Sequence, residues 1–453
     1  MDSVTRERPG RPRLHAGHCG SRGLAPRRHS VVRFLAFIDV SSSSERGHLT
    51  LYADPVSLAR VDAAAPAAQV SGKLAPLEAL RGLAACIVVA WHFFWAFDPA
   101  RIGIEDGFDP SAAMLGSVGF ASIDGPAAVT LFFVLSGFVL PLGFFRSGRT
   151  ELVVRAAAKR WLRLLCLVML AVLLSWLLFR CGLYRYREAA QLSQSNWLGT
   201  FGGSVKQAEF SPSLLGAVLE GSLFAFLREP ATYDPVLWTM RHEFFGSFVS
   251  FFLAVMLWRA RPAAALWLLV TAAVVVHSAD PFLFAFVAGT GLAWFMSRFE
   301  FHLSAGLALA CVAAGIFLFG YLEPRGSYAV FAAVQDPSPM RFDRIAIHTA
   351  SGLLIIAGLL GNDRFARTFA NPPFRLLGRL SFPVYLFHFP LLCSVASMLF
   401  ILFRHSGSLY HTLLLVGAIY APVVIAVGYA FARVDEAWLH WVNRFAARLT
   451  RPA

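Results

Sequence analysis

At 453 residues, 57% hydrophobic and only 15% charged, with a mean hydropathy of +0.60, the chain is too apolar for an ordinary soluble domain. Its formal net charge of +13 does not call for nucleic acid, because the lysines and arginines cluster beside apolar runs, as on the cytoplasmic loops of membrane proteins. Six scattered cysteines without CxxC or metal-ligand spacing indicate neither a disulfide framework nor a zinc site, and the lack of a P-loop, GxGxxG or GxSxG argues against ATP-driven and serine-hydrolase chemistry.

Residues 1–75 are dominated by Arg, Pro, Gly, Ser and His, as in RERPGRPRLHAGHCGSRGLAPRRHS, and their apolar patch VVRFLAFIDV is too short to span a bilayer. This composition predicts a basic, disordered extension without a recognisable signal peptide. Apolar runs then recur and predict ten helices, near 80–97, 126–145, 161–180, 236–258, 263–278, 281–297, 303–321, 345–361, 379–403 and 410–432, placed to cross roughly 30 Å of hydrocarbon. The runs 263–278 and 281–297 are short and flank Asp280-Pro281, which fits either a tight external hairpin or a broken segment. Arg146, Arg149, Arg155, Lys159, Arg160 and Arg163 follow the second run, Arg259 and Arg261 the fourth. Arg364, Arg367, Arg375 and Arg379 precede the ninth, and Arg444, Arg448 and Arg451 close the chain. With ten spans all of these face one side, which the positive-inside rule makes cytoplasmic. The expected class is an all-α, polytopic integral membrane protein with both termini cytoplasmic, a transmembrane domain over 76–433 and a short basic tail over 434–453.

Polar groups inside these runs are the candidates for function, since each costs about 3 kcal/mol at the centre of a spanning helix. In LEALRGLAACIVVAWH, Arg81 and His92 are separated by ten residues that include no other charged side chain. An offset of eleven is close to three helical turns, so both lie on one face about 16 Å apart along the axis, and Glu78 shares that face. DGPAAVTLFFVLSGFVLP places Ser136-Gly137 in mid-span, where small residues allow close helix packing and a serine bonds back to a carbonyl. KRWLRLL sets Lys159, Arg160 and Arg163 at the cytoplasmic mouth of the third span, as a positive-inside anchor or a holder of a phosphorylated ligand. YDPVLWTMRHEFFGSF carries Trp238 and drives Arg241, His242 and Glu243 into the fourth span, with Glu243 the expected inward group. FRLLGRLSFPVYLFHFPLL places Ser381, Tyr385 and His388 on one face of the ninth, at spacings of four and three. His348 reads as a packing or pore residue, and the aromatics of 181–235, including Tyr184, Tyr186, Trp197, Phe201, Phe210 and Tyr233, as a sugar-stacking or interfacial surface.

LEALRGLAACIVVAWH, LFFVLSGFVL, LWTMRHEFFGS and LGRLSFPVYLFHFPLL occur in this order, and from about Leu77 to Val434 the chain resembles membrane-bound acyltransferase family three, the integral-membrane O-acyltransferases of surface carbohydrates and related acceptors. The resemblance implies that Arg81 and His92 are essential. It also implies transfer of an acyl group, commonly acetyl, from cytoplasmic acyl-CoA (acetyl-CoA) as co-substrate to a hydroxyl of a carbohydrate or glycolipid acceptor presented from the other side. No permanently bound cofactor and no metal are implied, and the expected setting is the bacterial inner (plasma) membrane and its lipids. The family usually has Asp where this chain has Glu78, which keeps the charge, and proline where it has Cys166, which bears on the helix break after Arg163.

The residues fit a vectorial reaction on their own terms. Arg81, Arg160 and Arg163, with Lys159, suit phosphate and pyrophosphate at the cytoplasmic face, and His92 lies deeper, within reach of an extended thioester arm. Neutral His92 would take the acceptor proton as general base, with Glu243 or Glu78 orienting the imidazolium that forms; an acyl-histidine intermediate is the other route. Ser136, Trp238, Tyr385, His388 and Glu78 are assigned to substrate contact or support. The rival class is a proton-coupled transporter or flippase, because proton relays use the same intramembrane His, Glu and Arg. A structural scaffold for polysaccharide assembly is a third reading, and it requires His92 to be dispensable.

Overall fold

The computed structural model describes residues 55–105, 113–203, 210–228, 232–335 and 342–449, with side chains from Ala75 to Ala446 except Phe342. The expected basic extension therefore lies outside the described residues as far as residue 54, and its side chains as far as 74. Residue contacts divide the chain after Leu58, and Ala59–Ala453 is one compact unit.

Ten helices carry the architecture: α1 (Pro55–Phe97), α2 (Gly125–Ser147), α3 (Arg160–Arg180), α4 (Trp238–Leu257), α5 (Pro262–Ala279), α6 (Leu283–Arg298), α7 (Ala305–Phe319), α8 (Phe342–Leu360), α9 (Pro372–Leu391) and α10 (Leu409–Leu449). α9 continues through a π turn, Leu392–Ala396, into Ser397–Phe403. Among the described residues there is no strand. Eight helical stretches are long and apolar enough to cross a membrane, so the protein is an all-helical integral membrane protein. The two other expected spans, α6 and α7, have 16 and 15 residues, about 24 and 22 Å at the helical rise, less than the roughly 30 Å of hydrocarbon. Between α5 and α6 the chain makes a tight turn in which the Asp280 N–H bonds to the Val276 carbonyl and the Asp280 carboxylate accepts the Phe282 N–H.

Local chemistry sets the helix ends. Asp124 caps α2 by accepting the Ala127 N–H at 2.8 Å, and Pro126 supplies a pre-set helical φ in the first turn. Asn371 caps α9 in the same way, ahead of Pro372 and Pro373. α2 stops at Gly148, at φ +69°, where a Cβ would also meet the Trp258 ring at 2.5 Å.

Lipid offers no hydrophobic driving force between helices, so their association rests on close packing and interhelical hydrogen bonds. α2 and α6 meet through Gly137 and Gly289, where a Cβ on either would run into backbone of the other helix. Thr290 Oγ1 donates to the Gly137 carbonyl at 3.1 Å across the same contact. Phe133, Phe138, Phe286, Phe387 and Phe389 are fully buried in the central cluster. α5 is the converse case, exposing Leu266, Trp267, Val270, Val274 and Val275 as an apolar face suited to lipid.

Candidate functional site

The site is organised by two helices that run side by side in the same direction. Where the apolar span of α1 (Ala75–Phe97) and α9 begin, the two cross so closely that a Cβ on Gly82 would lie 2.6–2.9 Å from Leu377 and Gly378, and one on Gly378 2.5–2.7 Å from Glu78. Ten residues beyond Gly378, His388 meets His92. Contact at both points makes the pair parallel. It sets Arg81 beside Arg375 and Arg379 at one end and brings the two histidines together at the other.

The start of the apolar span of α1, the starting ends of α3 and α9 and the C-terminal part of α10 line a cavity of about 460 Å³. Arg81, Arg160, Arg163, Arg375 and Arg379 line it, opposed by Glu78, Glu243, Asp435 and Glu436. Two of the arginines are spent on structure. Arg160 Nη2 donates to Glu243 Oε2 at 2.6 Å, with the side chains only 7% and 12% exposed, and Ser136 Oγ donates to the other Glu243 oxygen at 2.7 Å. Arg379 pairs with Glu436. Arg81, Arg163 and Arg375 form no ion pair among the described residues, and Arg81 Nε is buried without a hydrogen-bond partner. These three guanidiniums come from α1, α3 and α9, with Glu78 near Arg81 and Arg375 and with Asp435 near Arg163, so the cavity carries both signs of charge and an excess of arginine.

A second cavity of about 440 Å³ lies at the opposite ends of α1 and α9, lined by Trp91, His92, Trp95, Trp197, Trp238 and Phe282 among others. Here His388 Nδ1 lies 2.6 Å from the Tyr385 carbonyl, and His92 Nδ1 lies 2.7 Å from His388 Nε2. A carbonyl only accepts, so His388 Nδ1 must carry the proton, its Nε2 must accept in the neutral ring, and His92 Nδ1 must donate. That leaves the lone pair on His92 Nε2 available, the tautomer a general base requires. The indole of Trp197 lies nearly parallel to the His92 ring, 6° apart with centroids 5.0 Å apart, and Trp95 continues the stack at 4.8 Å. Trp197 belongs to a loop held down by Glu105, which accepts from Trp95 Nε1 at 2.7 Å and from the Asn196 and Trp197 N–H groups at 2.9 and 3.2 Å. His348 is another wall, with Nε2 at 2.5 Å from the Tyr321 carbonyl and 3.8 Å from Asp124. Just ahead of the α2 span, burial pushes the Asp124 carboxyl well above the usual carboxylate range, against the Ala127 N–H and Arg344.

The geometry places several of these residues away from the partners expected for them. Lys159, expected to hold a ligand phosphate, sits at the junction into α3, is absent from the cavity lining and donates to Asn443 at 2.9 Å. One position along a helix is a rotation of about 100°, enough to turn it away from Arg160. Neither Glu243 nor Glu78 orients His92. Glu243 lines the basic cavity between Arg160 and Ser136, and Glu78 lines it too, while the partner of His92 is His388. Ser136 bonds across to Glu243 and not back to its own helix, although the close packing expected there is present at Gly137. Of the polar trio in the fourth span only Glu243 reaches a cavity; His242 Nε2 and Arg241 lie 3.0 and 3.7 Å from Asp280.

Other placements agree with the sequence. Arg81, Arg160 and Arg163 line one cavity, Trp238 lines the other, and Ser381, Tyr385 and His388 run from the first to the second. Among the loop aromatics Trp197 faces His92, while Phe201 is buried against Phe389 and Tyr186. Sequence reasoning missed Trp91, Trp95, Arg375 and Arg379 as lining residues. In both pairs an i,i+4 spacing beside an already chosen residue was the available signal. Glu105 carried none, because its role is to fix a loop some 90 residues away.

A family model described as an acyltransferase domain matches residues 75–433. None of the curated proteins and none of the solved structures matches the chain.

Proposed function

The chain belongs to acyltransferase family 3 and is an acyltransferase, and from that premise we propose that it carries an acyl group, acetyl in the first instance, from acyl-CoA in the basic cavity to a hydroxyl in the aromatic cavity, with His92 as general base. The observation that carries this reading is the pairing of arginines at one end of the apolar span of α1 with a base-competent histidine at the other. The phosphates of CoA are the polyanion that Arg81, Arg163 and Arg375 suit, and the thioester arm extends along α1 over the roughly 16 Å between Arg81 and His92. Arginines gather on the cytoplasmic face of membrane proteins, so the donor enters from the cytoplasm and the acceptor from the far side, and the expected membrane is the bacterial inner membrane. Trp91, Trp95 and Trp238 line the cavity with flat apolar rings suited to the C–H face of a sugar, which supports a carbohydrate or glycolipid acceptor.

The reaction follows from the hydrogen bonds. The acceptor hydroxyl forms its C–O bond to the thioester carbonyl carbon while His92 Nε2 takes the hydroxyl proton. The imidazolium keeps its Nδ1–H bond to His388 Nε2, and the Tyr385 carbonyl fixes His388 in the accepting tautomer. The C–S bond then breaks and the proton passes from His92 to the CoA sulfur, giving the ester and free CoA. Parallel overlap of Trp197 with His92 keeps water from competing for the thioester.

The test is CoA release by purified protein in detergent from acetyl-CoA, with membrane glycolipid extract as acceptor. Acceptor-dependent release that vanishes in His92→Ala is expected. Release at the same rate without extract, or at the same rate in the variant, contradicts the reading.

A further inference from the structure

The basic and aromatic cavities have two lining residues in common, Val129 on α2 and Tyr385 on α9. Everything that lines only the first lies toward Arg81, and everything that lines only the second lies toward His92. An acyl group delivered from one to the other passes between these two side chains. Neither wall yields readily. Val129 is 8% exposed and β-branched, with one dominant rotamer in a helix. The Tyr385 hydroxyl donates to the Val236 carbonyl at 2.9 Å and lies 2.9 Å from Thr239 Oγ1, while Phe132 meets its ring edge-on at 5.8 Å. Swinging the ring aside would strand the buried Tyr385 hydroxyl, whereas Thr239 Oγ1 and the Val236 carbonyl already bond to each other at 3.0 Å. It would also disturb the Tyr385 carbonyl that holds His388, and through it the tautomer of His92.

Resting on the donor and acceptor assignment above, we propose that Val129 and Tyr385 form a neck that selects the acyl group by its cross-section, passing unbranched acyl groups and refusing those branched at the carbon next to the carbonyl. Length is not what a neck measures, since a straight chain is no wider than the thioester arm that follows it. A branch widens the group at the point where it must clear Val129. The same group that widens the neck also presses on the ring whose backbone carbonyl organises the base, so branching weakens binding and misplaces His92 together.

Binding of CoA thioethers, in which a methylene replaces the carbonyl so that no acceptor is needed, tests this directly. Calorimetric titration of the full chain in detergent uses S-ethyl-CoA, S-isobutyl-CoA and S-neopentyl-CoA, which stand for acetyl, isobutyryl and pivaloyl groups. The wild type is expected to bind S-ethyl-CoA at least about tenfold more tightly than S-neopentyl-CoA, the discrimination typical of one or two misplaced methyl groups in a closed pocket. Val129→Ala should reduce that ratio by about tenfold, and Tyr385→Phe, which frees the ring but keeps its bulk, should reduce it by less. Val129→Ile should raise it. An unchanged ratio in Val129→Ala, with S-ethyl-CoA still bound, would overturn the neck and leave the donor site standing. Failure of the wild type to bind any of the three, or CoA itself, would overturn the donor assignment and the neck with it.

Discussion

On the proposed mechanism, the hydrogen-bonded pair His92 and His388 divides two duties, His92 as base and His388 as its orienting acceptor. His92→Ala removes the base and is expected to cost about 10²- to 10⁴-fold in the rate of transfer with insertion intact, as measured by CoA release at equal purified protein. His388→Ala should cost less, because the base survives without its orienting acceptor. His388→Gln offers a carbonyl oxygen where Nε2 stands and should recover part of that loss in kcat. A purely structural His388 would give equal losses in stability and activity for both variants and no such recovery. The arginines separate in the same manner. Arg163→Ala should weaken donor binding by about 1.5–3 kcal/mol, the worth of a charge-assisted contact, and leave thermal stability unchanged. Arg160→Ala strands buried Glu243 and should destabilise the fold by about 3–5 kcal/mol, seen as a lowered melting temperature in detergent. The reverse pattern would mean that Arg160, and not Arg163, is the ligand-facing group.

Among elements, the contact between α1 and α9 matters most, because it decides whether Arg81 and Arg375 share a cavity and whether His92 finds His388. Gly378→Leu forces a side chain into Glu78 backbone, where a Cβ alone already falls within 2.7 Å. Such overpacking typically costs about 1–3 kcal/mol, and donor affinity and catalytic rate are expected to fall together, measured by titration and turnover on the same preparation. Loss of rate with unchanged donor affinity would show that the crossing does not set the basic cavity. The loop carrying Trp197 is a separate device: Trp197→Ala should weaken acceptor use while donor affinity stays as in the wild type. The helices themselves were legible, because runs of apolar residues bounded by arginine or proline leave few alternatives in lipid, and all ten expected runs are helical. Arg81 and His92 were legible for the same reason: a polar residue is conspicuous in an apolar run, and the helical period fixes the face. What pairs with what was not. His388 lies 296 residues from His92, and no local period reports a contact between separate helices. Lys159 misled because a charge cluster in sequence says nothing about azimuth at the junction where one helix stops and the next starts.

At the scale of the whole molecule, the directions of the helices turn two cavities into a path. The apolar span of α1 (Ala75–Phe97), α3 and α9 start beside the arginines, whereas α2 and α8 begin beside His92, and the C-terminal part of α10 lines the basic cavity. Under the proposed function, donor and acceptor are thereby held on opposite faces and meet at Val129 and Tyr385. The vectorial claim is tested most directly with sealed membrane vesicles of known orientation, prepared from cells producing the protein and supplied from outside with labelled acetyl-CoA. Inside-out vesicles, which expose the basic cavity, are expected to build up labelled, base-labile ester on lumenal glycan or glycolipid with wild-type protein and none above background with His92→Ala. Equal labelling in right-side-out vesicles, or equal labelling by the His92 variant, would contradict the assignment of the arginine cavity to the donor and of His92 to the reaction.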